Sequence, residues 1–179
     1  MTYTYNPGDF ILTHGTAMYS HLIRIGEYLR YRNKRWCRYN HAAMIVSPTG
    51  DLVEALGNGV VRSNITKYEY NGDLHHMSCG CENGRQNYQV IDISSVAPTS
   101  ADRERIVRFA LSCVGQPYDW TDILSVSLSL LTGAKLSIET EGHMICSGLV
   151  ARSLERSMAI FPRSAQHMMP ADLAEYFQQ

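Results

Sequence analysis

Short apolar runs and the turns between them predict a small β-sheet. Five runs have strand character, namely residues 10–12, 41–46, 51–56, 60–62 and 88–93. The second and third runs flank Ser47-Pro48-Thr49-Gly50, which is typical of a β-hairpin, and Gly57-Asn58-Gly59 supplies the next turn. Residues 66–87 are polar and glycine-rich, so we expect a long loop insertion there.

Apolar residues at helical spacing predict five helices. They are residues 17–32, 99–114, 120–131, 146–158 and 171–177. The helix at 99–114 has a clear start, because Thr99 can cap it and Asp102 stands three positions later. Its apolar stripe is Ile106, Phe109, Ala110 and Val114. The helix at 146–158 is expected to bury Leu149, Val150, Leu154 and Met158. Strands lead and helices follow, which favours an α+β fold.

Length and composition indicate one globular domain spanning residues 1–179. Hydrophobic residues make up 45% of the 179 and charged residues 18%, which excludes a disordered class. The net charge of −1 gives no strong signal for binding nucleic acid.

Cysteine usage and the chain start favour a cytoplasmic protein. The five cysteines are odd in number and irregularly spaced, unlike a disulfide framework. The first residues have no basic or apolar region of a signal peptide. The longest charge-free apolar stretch has 12 residues, whereas a bilayer needs roughly 20, so no transmembrane segment is expected. A phage-encoded protein made in the cytoplasm would share these features.

Cys146 is the strongest candidate for chemistry. It begins a predicted helix, where backbone N–H groups and the helix dipole stabilise a thiolate. Ser147 and Gly148 follow, and such small residues let a substrate approach closely. The alternative is that Cys146 is an ordinary buried thiol of the core.

His41 and Glu54 are candidates for the base and the group that orients it. A nucleophilic thiol needs both. With a four-residue hairpin loop, the two side chains are diagonal neighbours on one face, whereas a three- or five-residue loop would flip Glu54 to the other face. Glu54 is also the only charge within residues 52–58, and a carboxylate in a buried strand needs a partner. The alternatives are a satisfied core histidine and a surface charge on an edge strand.

Several motif pieces follow one another in a characteristic order. Gly8-Asp9 comes first, and then the strands that carry His41 and Glu54. The later pieces are Gly115-Gln116-Pro117-Tyr118 with Trp120, Cys146-Ser147-Gly148-Leu149-Val150, and Pro170-Ala171-Asp172-Leu173. In this order the sequence resembles the circularly permuted NlpC-type papain-like cysteine peptidases and amidases, the YiiX-like branch.

The resemblance implies a permuted papain-like fold, with a small antiparallel sheet or barrel packed against helices. It implies that Cys146 is the nucleophile, His41 the general base and Glu54 the residue that orients His41. Tyr118 and Ser147 would lie on the substrate and oxyanion side. The implied reaction is hydrolysis of an amide in a peptide or cell-wall-like peptide through a thioester, and it requires no cofactor.

Two departures from the family pattern affect the expected substrate. Ile145 stands where an Asp usually precedes the nucleophile, and residues 121–144 form an insertion or lid between the Tyr and Cys motifs. An apolar lid would suit an acyl chain. The first alternative function is therefore an acyltransferase or thioesterase acting on a lipid-linked substrate. The second is a non-catalytic binding or assembly module, such as a phage protein with a vestigial site.

Two further segments have chemistry of their own. His75, His76, Cys79 and Cys81 are a weak zinc candidate, because their spacing is tighter than in most structural zinc sites. The second segment is basic and aromatic, and it suits contact with an anionic surface or simply a solvated helix face. Its basic residues are Arg24, Arg30, Arg32, Lys34, Arg35 and Arg38.

Overall fold

The fold is α+β, with a five-stranded antiparallel sheet and three α-helices among the described residues. The computed structural model describes residues 4–13, 39–68, 88–117, 145–162 and 164–177. The predicted helices at 17–32 and 120–131 lie outside these ranges, as does most of the predicted loop at 66–87.

Every strand of the sheet pairs antiparallel with its neighbours, in the order β4-β3-β2-β1-β5. The strands are β1 (Phe10–Thr13), β2 (His41–Ile45), β3 (Asp51–Leu56), β4 (Gly59–Asn64) and β5 (Tyr88–Ile91). The prediction of a small antiparallel sheet is thus confirmed.

The loop of the β2–β3 hairpin has four residues, which is the length at which His41 and Glu54 share a face. Met44 pairs with Val53 and Ile45 with Leu52, and the Val46 N–H donates to the Asp51 carbonyl at 2.8 Å. Gly50 ends the loop with φ +83°, and a Cβ there would lie 2.5 Å from a methyl carbon of Ile65. Only glycine fits that backbone and that space. The loop length in turn decides which face of the sheet Glu54 occupies.

The three α-helices are α1 (Ser100–Ser112), α2 (Cys146–Leu154) and α3 (Pro170–Phe177). Thr99 caps α1 as predicted, with reciprocal bonds of 3.1 Å between each backbone N–H and the other side chain of the Thr99–Asp102 pair. Two expected inward positions were wrong. Val114 is 40% exposed and Met158 is 63% exposed. Helices α1 and α2 end at Ser112 and Leu154, so neither side chain lies on the buried face of its helix.

Helix α2 is the central element of the larger core. It is buried along its whole length except at Arg152, and it contacts β2, β3 and α1. Short 3-10 helices at Ile65–Tyr68 and Ala165–His167 pack beside the sheet and beside α2, respectively. The longest described helix has 13 residues, and none of the helices in the described ranges is long and apolar enough to cross a membrane.

Candidate active site

Cys146 is the first residue of α2, and its side chain is buried. The preceding residue, Ile145, has no side-chain acceptor to cap the helix, and the first intrahelical bond runs from the Leu149 N–H to the Ile145 carbonyl at 2.9 Å. The N–H groups of the first turn therefore precede the hydrogen-bond ladder of the helix. One of them, from Ser147, donates to the Cys146 sulfur.

Strand β2 supplies a second backbone donor to the same sulfur, the N–H of Ala42. Backbone N–H groups of a strand point alternately to its two neighbours. The Val46 N–H points to β3, where it bonds Asp51, so the N–H of Ala42, four residues earlier, points to the same side. The paired register with β3 runs only as far as Met44 and Val53. Beyond that pair, the Ala42 N–H bonds the thiol of α2 and joins the helix start to the strand.

His41 forms a pair with Cys146 and with Glu54. Its Nε2 lies 2.8 Å from Glu54 Oε2, which leaves Nδ1 for the Cys146 sulfur. Burial disfavours the charged imidazolium, but the adjacent thiolate and the Glu54 carboxylate outweigh it and raise the pKa of His41 to about 9.

The thiol shifts in the complementary direction. Burial alone would raise the pKa of Cys146, but the charge and hydrogen bond of His41, together with the N–H groups of Ala42 and Ser147, lower it. These opposite shifts favour a thiolate–imidazolium pair, and a thiolate is the reactive form of a cysteine nucleophile.

Glu54 lies fully buried at the centre of a set of four donors. Oε2 accepts from His41 Nε2 and, at 2.5 Å, from the Tyr68 hydroxyl. Oε1 accepts from the Ser63 hydroxyl and the Lys67 ammonium. Burial disfavours the charge, but His41, Lys67 and Ser63 together hold the pKa of Glu54 well below its ordinary value. The alternative of a surface charge on an edge strand is therefore wrong.

The sequence pattern does not mark Ser63, Lys67 or Tyr68 as site residues. Leu52 pairs with Ser63, so the β3–β4 register places Ser63 diagonal to Glu54 on one face. Lys67 and Tyr68 come from the 3-10 helix Ile65–Tyr68, at the edge of the segment predicted to be a polar loop. The sequence signal for this turn is the spacing of two apolar residues, Ile65 and Tyr68, three positions apart. In the structure, Ile65 is buried and holds the turn against the sheet.

The Ser147 hydroxyl is engaged in packing. It donates to the Met168 carbonyl at 2.5 Å, and the residue is buried. Its hydroxyl thus joins α2 to the segment before α3, while its backbone N–H faces the Cys146 sulfur.

We expect Ser147→Ala to lower the free energy of unfolding by about 1 to 3 kcal/mol, because the buried Met168 carbonyl loses its donor. The alkylation rate of Cys146 should stay within twofold of wild type, since the backbone N–H remains. Urea unfolding measures the change in stability, and iodoacetamide labelling measures the alkylation rate. A large loss of labelling in a folded variant would instead place the hydroxyl in the reactive machinery.

The described part of the Tyr motif is fastened to β4. The Val60 N–H donates to the Gln116 carbonyl at 2.8 Å, and the Gly115 N–H donates to the Val60 carbonyl at 2.9 Å. Gly59 permits this approach, since it has φ +115° and a Cβ there would lie 2.8 Å from the Gln116 oxygen. Tyr118 itself lies outside the described residues.

The other predicted segments also lie outside the described ranges. They are the zinc candidate His75, His76, Cys79 and Cys81, the basic residues 24–38, and the insertion or lid at 121–144. Within the part of the chain that the structure describes, no cluster of three or more His, Cys, Asp or Glu side chains could hold a metal ion.

Comparison with known proteins adds no family to these observations. No protein-family model matches the chain. The curated proteins contain no match to it. The resemblance to the permuted NlpC-type peptidases therefore stays a prediction from the order of the motif pieces.

Proposed function

We propose that the protein is a cysteine hydrolase that cleaves an amide bond in a peptide-like substrate through a thioester on Cys146. In this proposal His41 is the general base and acid, Glu54 orients it, and the domain is a permuted papain-like fold of the NlpC type. One observation carries the proposal: a thiol at a helix start faces an imidazole whose second nitrogen is bonded to a fully buried carboxylate.

Each group has a step that it is suited to perform. The Cys146 thiolate attacks the substrate carbonyl carbon, and the resulting oxyanion is stabilised by backbone N–H at the start of α2, including that of Cys146. The His41 imidazolium gives its Nδ1 proton to the leaving amine, the C–N bond breaks, and a thioester remains. Neutral His41 then takes a proton from water, the hydroxide attacks the thioester, and the carboxylic acid leaves as the thiolate and imidazolium return.

Glu54 acts through His41 throughout this cycle. Its bond to Nε2 keeps a proton on that nitrogen, so Nδ1 presents a lone pair to water once the thioester has formed. Because the carboxylate is buried among four donors, the ring has a fixed orientation before any substrate arrives.

The test is acylation by p-nitrophenyl acetate, a general acylating probe. We expect wild type to release more than one equivalent of p-nitrophenol and to carry an acetyl group on Cys146 in peptide mass spectra. Cys146→Ala should lose both signals. Cys113→Ala is the matched control, since Cys113 is the other described cysteine, is buried, and has a pKa raised by burial.

Release that survives Cys146→Ala would contradict the proposal, as would acetylation spread evenly over the cysteines. The chain length of the ester separates substrate classes. Turnover that rises steeply from the acetate to the dodecanoate ester would favour the lipid-linked alternative over a peptide-like substrate.

A further inference from the structure

The Glu54 carboxylate has two cationic partners, and only one of them changes charge in the proposed cycle. His41 bonds Oε2 and the Lys67 ammonium bonds Oε1. Among the described residues that bond Glu54, Lys67 supplies the second positive charge, and no step of the proposed cycle takes a proton from it. The other two donors, Ser63 and Tyr68, contribute hydroxyl groups.

Lys67 is held on the carboxylate from two sides. Its ammonium lies 4.8 Å from the centre of the Tyr68 ring, a cation–π distance, while the Tyr68 hydroxyl bonds the other oxygen of Glu54. Its side chain is 37% exposed, so the ammonium keeps part of its hydration while it pairs with a fully buried anion. That arrangement lowers the desolvation cost of the pair.

We propose that Lys67 is a positioning residue that shares the charge of Glu54, so that His41 can release its proton and act as a base once Cys146 is acylated. This inference rests on the proposed function for its catalytic meaning. The coupling of Lys67 to the protonation of His41 can be measured without any substrate, because the groups involved are already in contact.

Charge balance within the buried cluster gives Lys67 this role. Before the reaction the cluster holds two anions, Cys146 and Glu54, and two cations, His41 and Lys67. After acylation the sulfur is neutral and His41 has lost its proton to the leaving group, so Glu54 and Lys67 remain as a neutral pair. With a neutral residue at position 67, Glu54 would then be a lone buried anion, which strongly favours keeping a proton on His41. A protonated His41 cannot take a proton from water.

The charged and titratable groups that face this site come from four elements. They are His41 on β2, Glu54 on β3, Lys67 and Tyr68 on the 3-10 helix, and Cys146 on α2. Replacing Cys146 by alanine removes the thiolate and leaves the charges of the acylated stage. That background isolates the coupling of Lys67, Glu54 and His41.

The experiment is NMR titration of the His41 ring in Cys146→Ala protein. We expect Lys67→Met in that background to raise the measured pKa of His41 by about one unit or more, a tenfold change in its proton affinity. Lys67→Arg should leave it near the Cys146→Ala value, because the charge is kept. Arg62→Met is the matched control, since Arg62 is an exposed cation on β4 paired opposite Val53, on the other face from Glu54.

Equal pKa values for His41 in the Lys67→Met and Arg62→Met proteins would overturn the inference and make Lys67 an ordinary surface cation. Should the methionine variant fail to fold, Lys67→Gln removes the charge but keeps a donor, and the same upward shift is expected. In the protein with Cys146 restored, Lys67→Met should slow hydrolysis of the acetyl thioester more than its formation at pH 7. Because the titration uses protein without the nucleophile, its outcome is independent of the acetylation test.

Discussion

Replacing His41 by alanine is expected to slow alkylation of Cys146 at pH 6 by on the order of 10- to 100-fold. At that pH an ordinary thiol with a pKa of about 8.5 is only about 0.3% ionised. In the wild type, His41 and the two backbone donors lower the pKa of Cys146, so we expect a larger fraction of thiolate at this pH. A low-pKa thiolate is intrinsically a weaker nucleophile, which offsets part of the gain and sets the lower limit of this range.

The measurement is the rate of iodoacetamide labelling of each cysteine from pH 4 to 9, followed by mass spectrometry. The wild-type rate at Cys146 should be nearly flat across neutral pH, while His41→Ala should show a rate that rises about tenfold per pH unit. His167→Ala is the control, because His167 lies on the 3-10 helix that also packs against α2. A flat profile that survives His41→Ala would exclude the ion pair as the source of reactivity.

Local sequence signals predicted the hairpin that builds the site, but they left the length of its loop open. Four turn residues fixed the register of β2 and β3, and that register brought His41 and Glu54 onto one face. The start of α2 was equally local, since small residues follow Cys146 and the helix begins at it. Sequence signals in two neighbouring strands and at one helix start therefore identified three principal side chains of the site, namely His41, Glu54 and Cys146.

The rest of the site depends on contacts that local patterns do not encode. Lys67 reaches Glu54 because buried Ile65 anchors the 3-10 helix against Gly50 and its neighbours. The spacing of Ile65 and Tyr68 indicates a turn, but it does not indicate where that turn docks. The Ala42 N–H turns to the Cys146 sulfur only where the β2–β3 pairing has ended. Such features follow from tertiary packing, which overrides local preference.

The same limit explains the errors at helix ends. The apolar spacing in α1 and α2 continues past the point where each helix stops, so Val114 and Met158 look like core residues in the sequence. Boundaries are decided by the turns that follow, which here bring Gly115 onto β4 and join the Met158 N–H to the Val96 carbonyl at 3.1 Å. Periodicity alone does not detect either contact.

Glu54→Gln should cost about 3 kcal/mol of folding free energy at pH 7, near the lower end for removing one partner of a buried ion pair. The substitution keeps the shape of the side chain but removes the charge that His41 and Lys67 share. Lys67 can turn outward to water, which limits the loss, whereas His41 and Ser63 must stay in the cluster. Urea unfolding of the two proteins gives the difference directly.

Glu104→Gln provides the matched control. Glu104 pairs with Arg108 at 2.6 Å one turn along α1, and both side chains are largely exposed. A surface pair of this kind contributes about 0.5 kcal/mol or less. If Glu54→Gln cost no more than Glu104→Gln, the buried carboxylate would not be the electrostatic centre of the site.

The pH dependence of folding stability tests the role of the Glu54 carboxylate in a second, independent way. Folding holds the pKa of Glu54 below its ordinary value of 4.5, so the unfolded chain binds its proton more readily than the folded protein does. The contribution of Glu54 to stability is therefore fully present above pH 4.5 and is lost as the pH falls towards the folded value. Since glutamine does not ionise, the stability gap between wild type and Glu54→Gln should narrow from pH 6 down to pH 3. A gap that stays constant over this interval would mean that the carboxylate stabilises the protein by shape and hydrogen bonding alone.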